Sequence, residues 1–151
     1  MDQIDKRILS TLQQDSSISM ATLSDRIGLS LSACHRRVKI LETEGFISGY
    51  SARLSRKALG LGIQIFIEVQ IETPRREDME SFEKAIQNMP EVLECHLITG
   101  EFDYLIRLAV KDTENYEALY RERLSTIPSV SKMKTLLSMS SVKDFSGYYL
   151  D

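Results

Sequence analysis

Residues 20–44 read MATLSDRIGLSLSACHRRVKILETE, the pattern of two short helices joined by a tight turn. Apolar residues recur at helical spacing as far as Ile27, and Gly28 can adopt the left-handed conformation that ends a helix. Ser30 is a typical N-cap for the next helix, which we expect to run to about Glu44. Two short helices in this arrangement predict a helix-turn-helix.

The second of these helices is amphipathic. At about 100° per residue, Val38, Leu41 and Leu31 all fall within about 60° of Cys34, so these apolar residues form one stripe. The opposite face offers hydroxyl groups and cations, which a helix needs if it is to lie in the major groove of DNA. The residues expected to contact DNA are Ser30, Ser32, Ala33, His35, Arg36, Arg37, Lys39 and Thr43.

Two of these residues have an alternative role, and the helix as a whole has an alternative interpretation. Arg37 borders the apolar stripe, so we expect it to reach a phosphate or to pair with an acid of the first helices rather than read bases. His35 is either a DNA contact or an exposed helix residue. The polar face of the whole helix could also be an ordinary solvated face. The absence of any acid between Asp25 and Glu42 makes that alternative less favoured than DNA binding. That stretch holds the cations Arg26, Arg36, Arg37 and Lys39.

Composition and charge place limits on the class of protein. The chain has 151 residues, 42% of them hydrophobic and 27% charged, which predicts a globular protein of one ordinary domain or two small ones. Residues 1–60 carry a net charge of +3 and residues 61–151 a net charge of −6, which favours two units with different partners. The sequence has no membrane-length apolar run and no signal-like N-terminus, so we expect a cytoplasmic protein.

The cysteines argue against a metal or disulfide framework. Cys34 and Cys95 lie in different segments, and neither belongs to a CxxC pair. Cys34 is expected to be a small buried apolar residue. Cys95 and His96 have no second Cys or His nearby, so no metal site and no cofactor are expected.

The predicted organisation has a helix-turn-helix domain over 1–54, a linker over 55–62 and a second domain over 63–151. Asp2 is expected to cap the first helix, and Ser19 the helix that begins at Met20. Residues 46–54 look extended and are expected to form a two-stranded wing. In the second domain we predict strand 63–71, helix 78–89, strands 92–99 and 104–110, helix 115–127 and a last strand within 130–142.

The order of elements in the second domain is β-α-β-β-α-β. This order suits a four-stranded antiparallel sheet with two helices on one face, the ferredoxin-like arrangement. The fold class is therefore α+β, an N-terminal winged helix-turn-helix followed by a C-terminal ferredoxin-like domain.

Four motifs occur in an order and at separations shared with one family. They are Asp2-x-x-Asp5-x-x-Ile8-Leu9-x-x-Leu12-Gln13-x-Asp15, Leu23-Ser24-x-x-Ile27-Gly28-Leu29-Ser30, Cys34-x-x-Arg37-Val38-x-x-Leu41-Glu42-x-x-Gly45-Phe46-Ile47 and Glu94-Cys95-His96-x-x-x-Gly100-x-Phe102-Asp103-Tyr104. In them the chain resembles the Lrp/AsnC, or feast/famine, family of bacterial and archaeal regulators over nearly its whole length. The sequence departs from the best-known members at Leu31-Ser32-Ala33, and His35-Arg36 is also a variable position, which leaves the operator undetermined.

The resemblance implies a sequence-specific transcriptional regulator whose assembly or DNA binding responds to a small effector, usually an amino acid. It implies dimers that pair through their sheets and assemble into tetramers or octamers, with the effector bound between dimers. Asp103 could pair with an ammonium group, and backbone N–H groups near Gly100 with a carboxylate, although both residues could simply form a hairpin turn. The expected effector-binding residues are Thr99, Gly100, Phe102, Asp103, Tyr104, Leu136, Leu137, Ser138, Met139 and Ser140.

Two other functions remain open at this point. An architectural DNA-binding protein without an effector would share the same helix and oligomer. Some relatives of this architecture act as tetrapyrrole decarboxylases, but this chain has only two histidines, and His35 lies on the helix expected to face DNA. We therefore expect a protein that is not an enzyme.

Overall fold

The computed structural model describes residues 1–150, which divide into two compact units. The first unit is Met1–Arg53 together with the segment from Val142 onward, and the second is Leu54–Ser141. Residues from Val142 onward, which were expected to belong to the second domain, are thus grouped with the first unit. No helix among the described residues is long and apolar enough to cross a membrane.

Three helices form the first unit, and their predicted caps are confirmed. Asp2, Ser19 and Ser30 each accept a backbone N–H with their side chains, and Gly28 has the left-handed conformation, with φ 79°. Asp2 also forms a reciprocal capping box with Asp5. The helices are α1 (Gln3–Gln14), α2 (Met20–Ile27) and α3 (Leu31–Thr43).

The apolar stripe of α3 is confirmed for three of its four members. Cys34, Val38 and Leu41 are no more than 4% exposed, and they pack in one core with Ile8 of α1. The prediction for Leu31 is wrong, because its side chain is 54% exposed. Leu31 begins α3, and helical side chains tilt toward the N-terminus, so this one projects past the end of the helix.

The segment after α3 does not form the expected pair of strands. Residues 46–54 contain no strand. Their backbone is held instead against the end of α3, where Ile47 N donates to Leu41 O at 3.1 Å. The Tyr50 hydroxyl donates to Glu42 Oε1 at 3.0 Å.

The C-terminal segment joins the first unit through a reciprocal pair of hydrogen bonds. Gln13 Nε2 donates to Tyr148 O at 2.7 Å, and Tyr148 N donates to Gln13 Oε1 at 2.9 Å. The preceding residue, Gly147, has φ 123°, and a Cβ there would lie 2.5 Å from Gln13 Oε1. The side-chain amide of Gln13 therefore binds both backbone polar groups of one residue, Tyr148, as a residue of a neighbouring antiparallel strand would.

The second unit has the predicted ferredoxin-like topology. Its sheet has the order β2-β3-β1-β4, with every neighbouring pair antiparallel, so the α+β class is confirmed. The predicted second helix ends early, and its last residues form a single 3₁₀ turn. The elements are β1 (Ile63–Ile71), α4 (Arg76–Gln87), β2 (Val92–Leu97), β3 (Tyr104–Val110), α5 (Thr113–Glu122), the turn Leu124–Thr126 and β4 (Val130–Ser138).

The two faces of the sheet have different environments. Ile65, Ile67 and Val69 are at most 1% exposed, and they pack with Phe82 of α4 and Leu119 of α5. Alternate residues point to the other side, which the helices leave uncovered. We call that side the open face, and it carries Gln64, Phe66, Glu68, Leu105, Arg107, Lys134, Leu136 and Ser138.

Candidate functional site

The outward face of α3 brings together most of the residues expected to contact DNA. Ser32, His35, Arg36, Lys39 and Thr43 are exposed and line one shallow depression. Helical geometry places them together because they recur at intervals of three and four residues.

The remaining expected contacts are at the edge of that face. Ser30 caps the helix, and its Oγ lies 3.3 Å from Ser32 Oγ. Ala33 is half-buried.

The cations of this face differ in how they are held. Lys39 Nζ lies 3.4 Å from Glu42 Oε2, an exposed pair that contributes little in water. Arg36 is exposed, and within residues 1–150 it forms neither an ion pair nor a side-chain hydrogen bond. Its guanidinium is consequently available to a phosphate or to a base edge.

Arg37 points back toward the first helix. Its Nη1 lies 2.8 Å from Asp2 Oδ2 and 2.7 Å from Asp5 Oδ1. Of the two expected roles, a phosphate contact or an ion pair with the first helices, the structure therefore has the ion pair. Hydrogen bonds to Asp5 and Asp2 raise the pKa of Arg37. The backbone N–H of Asp5, aided by Arg37, lowers the pKa of Asp2. Arg37 therefore fixes α3 against the start of α1.

The second site residue with a definite role is Asp103, in the turn between β2 and β3. Its Oδ2 accepts the Ile71 N–H at 2.8 Å, and its own N–H donates to Val69 O at 2.9 Å. The Ile98 N–H donates to Asp103 O at 2.8 Å. Asp103 thus fastens the turn to the end of β1, a role that the sequence alone did not indicate. Thr99 and Gly100, earlier in this turn, are exposed.

The two aromatic residues expected at the effector site are buried. Tyr104 is 2% exposed on the helix side of the sheet, where its hydroxyl donates to Glu83 Oε1 at 2.7 Å. Burial, followed by this hydrogen bond, raises the pKa of Tyr104. Phe102 is 6% exposed, and Lys132 and Lys134 place their Nζ atoms 5.3 and 5.7 Å from its ring centroid.

The other group of expected effector residues lies elsewhere on the sheet. Leu136 pairs with Phe66, whereas the turn contacts Ile71, five residues along β1 and therefore about 17 Å away. Leu136 and Ser138 lie on the open face, Leu137 faces the helix side, and Met139 and Ser140 follow the strand as exposed residues. One chain does not bring the two groups together.

A helix-turn-helix with a cationic outward face, followed by a ferredoxin-like domain, defines a two-domain DNA-binding regulator. Profile comparison matches residues 1–48 to "Winged helix-turn-helix DNA-binding" and residues 64–148 to "Lrp/AsnC ligand binding domain". The chain belongs to the Lrp/AsnC family of transcriptional regulators. This is a family of DNA-binding regulators rather than enzymes, which removes the decarboxylase alternative.

Individual relatives resemble the chain over nearly its full length. The leucine-responsive regulatory protein of Escherichia coli K12 is 40% identical over 143 residues, covering 95% of this chain and 87% of the relative. A transcriptional regulator of Neisseria meningitidis, solved as its L-Met complex, has a TM-score of 0.91 and 33% identity, covering 95% of this chain and 93% of the other. An AsnC family regulator of Agrobacterium tumefaciens has a TM-score of 0.93 and 28% identity, covering 99% and 97%.

Proposed function

We propose that this regulator binds operator DNA as a homo-oligomer in the cytoplasm and that an amino acid bound by its second domain changes that binding. The observation that carries the proposal is the outward face of α3, where Arg36 has no partner within the described chain. The same chain contains a domain matching the family's ligand-binding profile. The complex of the Neisseria relative with L-Met supports an amino acid as the effector class.

On this proposal α3 lies in the major groove of each half-site. Ser32, His35 and Arg36 reach base edges, while Lys39 and Thr43 lie farther along the groove. Ser30 and Ala33, at the start of the helix, approach the phosphate backbone. Two such helices in a dimer would read half-sites about 34–36 Å apart, or a multiple of that spacing.

The proposed effector site is the Asp103 turn. Backbone N–H groups near Gly100 would bind the effector's carboxylate, and Asp103 would attract its ammonium. Because Leu136 pairs with Phe66, far from the turn, we propose that residues 136–140 reach the site from another subunit. Such a site would be complete only in the oligomer, which would couple effector binding to assembly.

We propose that the open face forms the dimer interface. It presents Phe66 and Leu136, and it holds an Arg107 Nε that is buried without a hydrogen-bond partner. Lys134 Nζ lies 3.0 Å from Glu68 Oε2, but that oxygen accepts no well-oriented hydrogen bond. A second copy would cover the apolar residues and supply polar partners, and dimers would build toward the octamer.

The test combines selection from a random duplex library with titration calorimetry against the natural amino acids. We expect one enriched DNA sequence and at least one amino acid that binds and shifts DNA affinity by about 5- to 150-fold. DNA binding with no amino acid bound at millimolar concentration would favour the architectural alternative. Sedimentation with and without the bound amino acid would report the size of the assembly.

A further inference from the structure

Ile40 is an apolar residue on the polar side of α3. Its side chain is 46% exposed, whereas Cys34, Val38 and Leu41 of the same helix are no more than 4% exposed. At about 100° per residue Ile40 lies about 240° from Cys34, next to Arg36 at about 200°. The side chain is therefore not part of the core and is available for a contact outside the first unit.

The surroundings of Ile40 favour a polyanion over an apolar protein partner. Ile40 lines the same shallow depression as Arg36 and Lys39, whose two positive charges outnumber the one carboxylate there, that of Glu44; the other lining residues are Ser32, His35 and Thr43. Covering this depression with an apolar protein surface would strip water from the cations without replacing it. A DNA duplex supplies phosphates to the cations, and its major groove presents one apolar group among the donors and acceptors of the base edges, the C5-methyl of thymine.

We infer that Ile40 contacts the C5-methyl group of a thymine in the operator and is a specificity-determining residue. The inference rests on the proposed position of α3 in the major groove. Removing the methyl group from the base and removing the side chain from the protein break the same contact. The effects of the two changes on affinity are consequently not additive.

The experiment uses the full chain and the duplex enriched from a random library. Each thymine is replaced in turn by deoxyuridine, which lacks the methyl group but keeps the same hydrogen-bonding groups. Dissociation constants are measured by fluorescence anisotropy at one salt concentration. We expect one replacement per half-site to weaken binding by the native protein about 3- to 10-fold. I40A should bind the thymine and deoxyuridine duplexes equally at that position.

L31A is the matched control, because Leu31 is an exposed apolar residue of α3 about 180° around the helix from Ile40. L31A should retain the full sensitivity to deoxyuridine. I40V, which keeps the branched Cβ, should show an intermediate sensitivity to deoxyuridine. It replaces I40A in the experiment if I40A is poorly folded.

Two results would overturn the inference. One is an I40A protein that loses as much affinity as the native protein on the same deoxyuridine duplex. The other is a native protein that no replacement weakens. If the first result came with a changed assembly size in I40A, Ile40 would contact protein instead of DNA. Failure to enrich any sequence would contradict sequence-specific binding itself, a separate outcome.

Discussion

Arg37 donates from Nη1 to Asp5 Oδ1 at 2.7 Å, a contact between residues 32 positions apart that joins α3 to the first turn of α1. Arg36, its neighbour in sequence, lies about 100° farther around the helix, is exposed, and has no protein partner within residues 1–150. Two consecutive arginines are therefore held differently: Arg37 fastens the helix to α1, whereas Arg36 is the one that we propose to contact DNA. Substituting them singly separates stability from DNA affinity.

Arg36→Ala should weaken operator binding by about 5- to 150-fold, since a good base contact is worth about 1–3 kcal/mol. Its melting temperature should stay within about 1 °C of the native value, because the side chain supports nothing in the fold. Anisotropy titration and thermal unfolding measure the two quantities. Arg121→Ala, at an exposed arginine of α5, is the control for loss of charge alone. Unchanged DNA affinity in Arg36→Ala would show that α3 faces DNA with another side.

Arg37→Ala should lower the melting temperature by about 1–5 °C, because two partly exposed ion pairs are lost together. The decrease should depend on pH. The lowered pKa of Asp2 means that its contribution is fully present above the unfolded value of 3.8 and is lost as pH falls through the lower folded value. Thermal unfolding between pH 7 and pH 2.5 should show the gap from the native protein closing at the acid end. If the difference in melting temperature persists at low pH, the loss of stability comes from lost packing of the Arg37 side chain and not from its ion pairs.

Asp103→Asn should abolish the effector response while leaving operator binding and folding intact. The asparagine oxygen can still accept the Ile71 N–H, whereas the charge that attracts an ammonium group is gone. Asp103→Ala, in contrast, leaves that N–H unsatisfied and should cost about 1–3 kcal/mol of stability. Calorimetry with the amino acid identified in the panel, together with thermal unfolding, separates the two variants. If Asp103→Asn still responds to the effector, the effector's ammonium group binds at another position.

Gln13→Ala should release the C-terminal segment, since both hydrogen bonds to Tyr148 come from one side chain. We expect hydrogen exchange of the Tyr148 amide to speed up by about 10-fold or more, with little change in melting temperature. Gln14→Ala, at the exposed neighbouring position, is the matched control. Equal exchange in the two variants would mean that Gln13 does not hold the segment.

Local chemistry made much of the fold predictable. Ser19, Gly28 and Ser30 are signals whose effect depends on adjacent backbone, so the ends of α2 and the start of α3 were predicted correctly. The exposure of Leu31 was not predicted from helical phase alone, because Leu31 is the first residue of α3 and its side chain projects past the end of the helix. The exposure of Ile40 could have been found from its helical phase, opposite the Cys34 stripe.

The site in the second unit was harder to predict because it depends on contacts between distant segments. The hydrogen bond from Ile71 to Asp103 joins residues 32 positions apart, and nothing in the local sequence of the turn specifies it. The separation of Leu136 from the turn likewise follows from strand register, which spacing along the chain does not reveal. The sequence identified Asp103 and Leu136 as candidate site residues, but their contacts with β1 became known only from the pairing of the strands.

The reciprocal contact between Gln13 and Tyr148 means that the polypeptide returns to the unit in which it began. Tyr149, the next residue, is 90% exposed beside this contact. A fluorescent dye attached there would report on the helical unit that contains α1.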